Sequence, residues 1–150
     1  MSVQASANVT NFPFILSENS KVKENETVVQ DAERSGDIER HTVMSYDPTT
    51  AKWGPFINEA AVDGTQFPRG IIMAKIEEAA IIAGDVETIP ILVGDAVVDQ
   101  NQLVIEAAKT LATIINVPVG IYLTVEEALR LMNIYVADTI AIDGFENPAV

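Results

Sequence analysis

A small α+β domain is predicted, rich in β-structure, with one or two short helices and a flexible N-terminal arm. Three observations lead there. Residues 1–38 are poor in large apolar side chains, whereas the remainder alternates short β-branched runs with turn residues. One segment, Thr124-Val125-Glu126-Glu127, carries a helix-start signature. A chain of 150 residues with 48% hydrophobic residues suits one domain with a real core. The expected division is therefore an arm over 1–38 and a folded body over 39–150.

The arm is rich in Ser, Asn, Gln, Glu and Lys, and such a stretch on its own cannot offset its chain entropy. Its exception is Phe12-Pro13-Phe14-Ile15-Leu16, an apolar cluster that an idle tail does not need. These five residues are the candidate docking site for a partner.

In the body, His41 to Tyr46 forms a β-prone run that stops at the turn residues Asp47-Pro48. Lys52-Trp53 resumes a strand, and Gly54-Pro55 is expected to break it. Residues 60–70 read as a loop, and Ile71-Ile72-Met73 as a buried strand. Ala74 to Ala83 fits either a strand or a helix. The clearest strand is Val86 to Val93, bracketed by Gly84-Asp85 and Gly94-Asp95. Ala96-Val97-Val98 is expected to return beside it as a hairpin partner. Apolar residues at 104, 107, 108, 111, 114 and 115 suggest a helix over Leu103 to Ile115, and Val119 to Leu123 a short strand. Thr124 caps the next helix, with Glu127 reaching back, and Asn133 ends it in the left-handed position. Ile134 to Ile142 is the last expected strand.

Charge narrows the partners. Nine Lys and Arg against 22 Asp and Glu give a formal net charge of -13. That charge disfavours nucleic acid and anionic membrane surfaces and favours basic protein surfaces. The N-terminus lacks a basic head followed by an apolar run, and the longest uncharged stretch, Thr110 to Val125, is broken by Asn116, Pro118 and Gly120.

Enzymatic chemistry finds little support. There is no cysteine, and His41 is the single histidine, without a nucleophile motif around it. Asp95 and Asp99, and the later Asp138, Asp143 and Glu146, lack the spacing of a calcium loop and read as solvated acids. No phosphate-binding glycine loop occurs. No cofactor or metal is expected. Trp53, the lone tryptophan, is a candidate either for the core or for an interface.

From Arg40 onward, an ordered set of short pieces carries a resemblance. They are Thr42 to Asp47, Asp63-Gly64-Thr65, Pro68-Arg69-Gly70-Ile71-Ile72, Gly84-Asp85, Ile89 to Val93, Gly94-Asp95-Ala96-Val97 with Leu103, and Leu129 to Val136. In this order they resemble the lambda-type bacteriophage head decoration, or capsid cementing, proteins over roughly two-thirds of the chain. The long arm and residues 104–125 depart from the shorter members. The resemblance implies a non-enzymatic homotrimer on threefold sites of an expanded phage head. Its partner would be the major capsid protein of a tailed phage. Its place would be the outer surface of the virion, after synthesis in the bacterial cytoplasm. It also implies an arm that orders on the shell by strand addition, with Phe12, Phe14, Ile15 and Leu16 as anchors. A tail or neck component, or an acidic assembly module, is the alternative.

Overall fold

The computed structural model describes residues 13–30, 35–56, 67–105, 110–115 and 123–139. The β-rich expectation holds: seven strands accompany two short α-helices among these residues. The strands are β1 (Lys21–Val28), β2 (Val43–Asp47), β3 (Lys52–Pro55), β4 (Gly70–Ile72), β5 (Val86–Gly94), β6 (Ala96–Asp99) and β7 (Ile134–Ala137). The helices are α1 (Glu78–Ala83) and α2 (Val125–Leu131).

Five strands close into a barrel in the order β1-β3-β2-β4-β5. Closure rests on one parallel pairing, Val28 beside Trp53, continued by the Val29 amide donating to the Trp53 carbonyl at 2.8 Å. The other pairings are antiparallel. Side chains alternate across the barrel wall, as strand geometry requires. Met44, Ile72 and Ile91 face one cluster with Val28, Trp53 and Ile89, so all five strands contribute to the barrel interior. Ile38, Ile76 and Ile81 complete that cluster. Their neighbours Val43, Ile71 and Leu92 face a second cluster outside the wall. Burial on both faces explains why these strands read as unbroken apolar runs rather than alternating ones.

The second cluster is covered by Phe14, by β6 and β7, which pair in parallel, and by Val125, Ala128 and Leu129 of α2. Thr124 and Glu127 form the expected capping box, and Asn133 adopts a φ of 62° just past the helix.

Several expectations are corrected. The flexible arm over 1–38 is the largest. Residues 1–12 and 31–34 lie outside the described residues, but β1 lies inside the supposed arm and pairs along most of β5. Val28 and Ile38 are fully buried. In isolation the segment cannot offset its chain entropy, but beside β5 it does not stand alone. A half-exposed strand needs few apolar residues when its backbone pairs with a neighbour and many of its side chains face water. The boundary between arm and body at residue 38 therefore does not hold for residues 13–38 where they are described.

Gly54-Pro55 does not break β3, which runs through both residues. Ala96 to Asp99 is a strand but not a hairpin partner of β5, because it pairs with β7 instead. The helix over Leu103 to Ile115 is absent from its described part. Residues 100–102 form a single 3-10 turn, and Val104 bridges Thr42. Its amide donates to the His41 carbonyl and its carbonyl accepts from the Val43 amide. Leu103, Ile105, Leu111 and Ile115 instead insert one by one into the outer cluster from non-helical backbone, and residues 106–109 lie outside the described residues. Ala74 to Ala83 resolves as α1 at its C-terminal end, and residues 116–122 and 140–150 lie outside the described residues.

Helix α1 is capped from a distance. Glu77 offers it no side-chain cap; the Asp37 carboxylate accepts from the Glu78 amide at 2.8 Å, and Glu78 accepts from the Gly36 amide at 2.9 Å. This reciprocal pair anchors residues 36–37 to the body. The Glu78 amide and then the Lys75 ammonium hold Asp37 below the usual carboxylate range.

Gly70 is required by close packing. A Cβ there would lie 2.7 Å from the Leu92 carbonyl oxygen and 2.9 Å from Ile91 Cγ2. The first obstacle is backbone, so β4 and β5 would have to part. Gly70→Ala is expected to cost about 1–3 kcal/mol, readable as a lower urea midpoint.

Candidate contact site

Of the predicted docking residues that are described, Phe14, Ile15 and Leu16 pack onto the body. Phe12 lies outside the described residues. Pro13 is exposed, Phe14 is buried, and Ile15 and Leu16 are half-buried. Residues 14–16 form a strap along β6. The Leu16 amide donates to the Val97 carbonyl and the Asp99 amide to the Phe14 carbonyl, each at 2.8 Å. Ile15 and Val98 face each other between these bonds as an antiparallel pair. Ser17 Oγ adds a third link by accepting from the Val97 amide at 2.8 Å. Strand addition does occur, but on this chain's own β6.

The Phe14 ring lies flat on the His41 imidazole, with centroids 3.7 Å apart and planes 9° from parallel. His41 cannot easily swing away. Its backbone is left-handed at φ 72°, and it is pinned by its amide donating to the Ile72 carbonyl at 2.8 Å and by its carbonyl accepting from Val104. Burial, and then the Arg40 charge, lower the His41 pKa, partly offset by a hydrogen bond that the imidazole donates to the Gln102 main chain.

Beside the strap, Asp99 is 3% exposed, unlike the solvated acid expected from sequence. Its carboxylate accepts from the Asn101 amide at 3.0 Å, Gln102 Nε2 at 2.9 Å and Thr139 Oγ1 at 2.9 Å. Burial pushes its pKa up. The hydrogen bonds from Gln102, Asn101 and Thr139 more than offset that and hold it below the usual range. Asn101 Nδ2 also reaches Asp138 Oδ1 and Thr139 Oγ1, both at 3.1 Å. This network ties the 3-10 turn to the residues after β7. Asp95, by contrast, stays at the surface near Lys21, at 3.8 Å, and accepts from Asn133. Asp143 and Glu146 lie outside the described residues.

Trp53 is 4% exposed and belongs to the barrel interior. Its indole N–H donates to Glu26 at 3.2 Å, and Tyr46 packs against it at a tilt. As a buried side chain it offers no face to a partner, which corrects the interface candidate.

The carboxylates with lowered pKa all serve the fold. Asp37 caps α1, Asp99 holds its network, and Asp85 accepts from Lys52 Nζ at 2.5 Å and from the Gln30 amide. Among the described residues no group of three or more acids or histidines could hold a metal ion. No helix among them is long and apolar enough to cross a membrane. Among the described residues, the large apolar side chains left outside are Leu131 (67% exposed), Ile114 (57%), Tyr135 (44%), Val29 and Ile82. Sequence reasoning missed these because each lies within two residues of a buried apolar side chain: Leu129, Ile115, Ile134, Val28 and Ile81 in turn. Comparison of the chain with family models, with curated proteins and with solved structures found no match in any of the three.

Proposed function

We propose that this chain is a structural capsid decoration protein. In this reading it binds as a homotrimer at threefold sites of an expanded phage head, contacts the major capsid protein and reinforces the outer surface of the virion. One observation supports it above the others: the pieces that carry the resemblance are neighbours in space. Thr42 to Asp47 supplies β2, Gly70 to Ile72 is β4, and Ile89 to Val93 lies within β5; these three strands are consecutive around the barrel. Ala96-Val97 and Leu129 to Val136 supply the layer that covers them.

The reading changes in one respect. Phe14, Ile15 and Leu16 serve the body and are not the grip. The exposed Leu131 and Tyr135 are the candidates for contact with shell or sister subunits, since apolar side chains outside the core find their burial in partners. The net charge of -13 favours a basic patch on the shell and makes association salt-sensitive.

The test is to mix the purified protein with expanded heads and image them. Saturable threefold density that weakens as salt rises is expected. Bare heads, or rings and tubes of the protein alone, overturn the proposal and favour a tail or neck role.

A further inference from the structure

We propose that His41 is a pH-sensitive latch for the strap: a proton on its imidazole parts the ring from Phe14 and releases residues 14–17 from β6. This concerns how the strap is held and stands whether or not the chain decorates a capsid.

Few polar contacts hold the strap beyond the packing of Phe14 and Ile15 into the outer cluster. Two main-chain hydrogen bonds, the Ser17 hydroxyl and the Phe14–His41 stack are its described polar and ring contacts. Phe14 is 6% exposed, so its ring lies over the imidazole and shields that face from water. The backbone of His41 is fixed on both sides, by Ile72 and by Val104. A newly charged ring therefore gains water most readily when Phe14 leaves.

The groups around the ring set the direction. Arg40 lies beside it in the chain and repels a second positive charge. The strap brings Phe14 and no ionisable group at the stack. β4 brings the Ile72 carbonyl, which accepts from the His41 amide. The 100–104 segment brings Gln102, whose main-chain bond favours the charged ring, with the Asp99 carboxylate one hydrogen bond further on. Glu39 lies two residues before His41 and faces Lys75, at 3.9 Å. A cation over a phenyl face gains about 0.5–2 kcal/mol, which opposes release. Lost hydration is the largest influence on His41, and Arg40 acts in the same direction, so the neutral ring is the one the closed strap prefers.

The folded chain thus holds this proton less tightly than the unfolded chain does. The latch is complete above the ordinary histidine value of 6.5. It is lost as pH falls below that value, levelling off beneath the folded pKa.

Amide hydrogen exchange of the full chain tests this, with rates normalised to those of an unstructured peptide at each pH. Between about pH 7.5 and about pH 5, protection at the Leu16 and Asp99 amides is expected to fall about tenfold. The Met73 amide, bonded to Pro90 in the barrel, should keep its protection. His41→Phe keeps a stacked ring without a proton site and should abolish the fall. Phe14→Ala should leave both strap amides poorly protected at either pH. Equal protection of the strap at the two pH values in the unaltered protein overturns the proposal. So does an equal loss at Met73, or a fall that persists in His41→Phe.

Discussion

Phe14→Ala is expected to lower the unfolding free energy by about 3–5 kcal/mol, the usual cost of emptying a buried phenyl site. Phe14 belongs to the outer core cluster and is also the ring that covers His41. Its removal opens a cavity between the barrel wall and the β6–β7 layer and frees the strap's end. Small domains have only about 5–15 kcal/mol in hand, so the loss should shift the urea midpoint by a large fraction of its value. A flexible arm gives the opposite result, because truncating a solvated side chain changes stability by less than about 0.5 kcal/mol. A neutral Phe14→Ala would return the segment to the solvent. Leu131→Ala is the natural control: that side chain is 67% exposed, and little change in stability is expected.

The second large effect is expected at Asp99. Asp99→Ala removes a carboxylate that satisfies Asn101, Gln102 and Thr139 at once. The buried Thr139 hydroxyl left without an acceptor costs about 1–3 kcal/mol and the part-buried Asn101 and Gln102 bonds add less, so a loss of about 3 kcal/mol is expected overall. The same carboxylate carries a pH signature. Its folded pKa is lowered, so its contribution is fully present above the unfolded value of 3.8 and is lost as pH falls through the folded value. Asp37 and Asp85 are shifted in the same direction and add to the acid lability at the surface. Denaturant midpoints measured from neutral pH down to about pH 2 should decline more steeply in the unaltered protein than in Asp99→Ala. Parallel curves would mean that the carboxylate is solvated.

Much of the body was legible because its signals are local. The β-branched run before Gly94, the capping box at Thr124 and the left-handed Asn133 each depend on residues within one element, and each took the expected form. What failed depends on partners far along the chain. The apolar cluster at Phe14 revealed that burial was needed, but not whether β6 or another protein would provide it. β1 hid among polar residues because an exposed strand paired along β5 needs only occasional apolar side chains. The pairing is also irregular. Its register shifts at Lys23/Glu26 and Glu26/Val28, near Thr88 at φ 62° and near Pro90. Bulges of this kind accommodate a proline within a strand, and no alternating pattern survives them.

The segment from Leu103 to Ile115 shows the converse. Its spacing fits a helix, yet Leu103, Ile105, Leu111 and Ile115 reach the core from extended and turn conformations, while Ile114 stays exposed. Tertiary burial decided there against the local period. Asp99 was misread for a similar reason: its partners Asn101 and Gln102 are adjacent, but Thr139 lies 40 residues away and closes the network only in the fold.

The central claim is that the strap belongs to the body of its own chain, and cross-linking tests it most directly. The protein has no cysteine, so Ile15→Cys with Val98→Cys introduces the sole thiols. The two positions face each other as a pair without mutual hydrogen bonds. In such pairs the Cα atoms lie about 4.5 Å apart, within disulfide range. Mild oxidation of the dilute double variant should close an internal disulfide and give a compact single chain on a non-reducing gel. Two thiols that stay free and label as fast as an unstructured peptide, or chains joined to one another instead, would contradict the account.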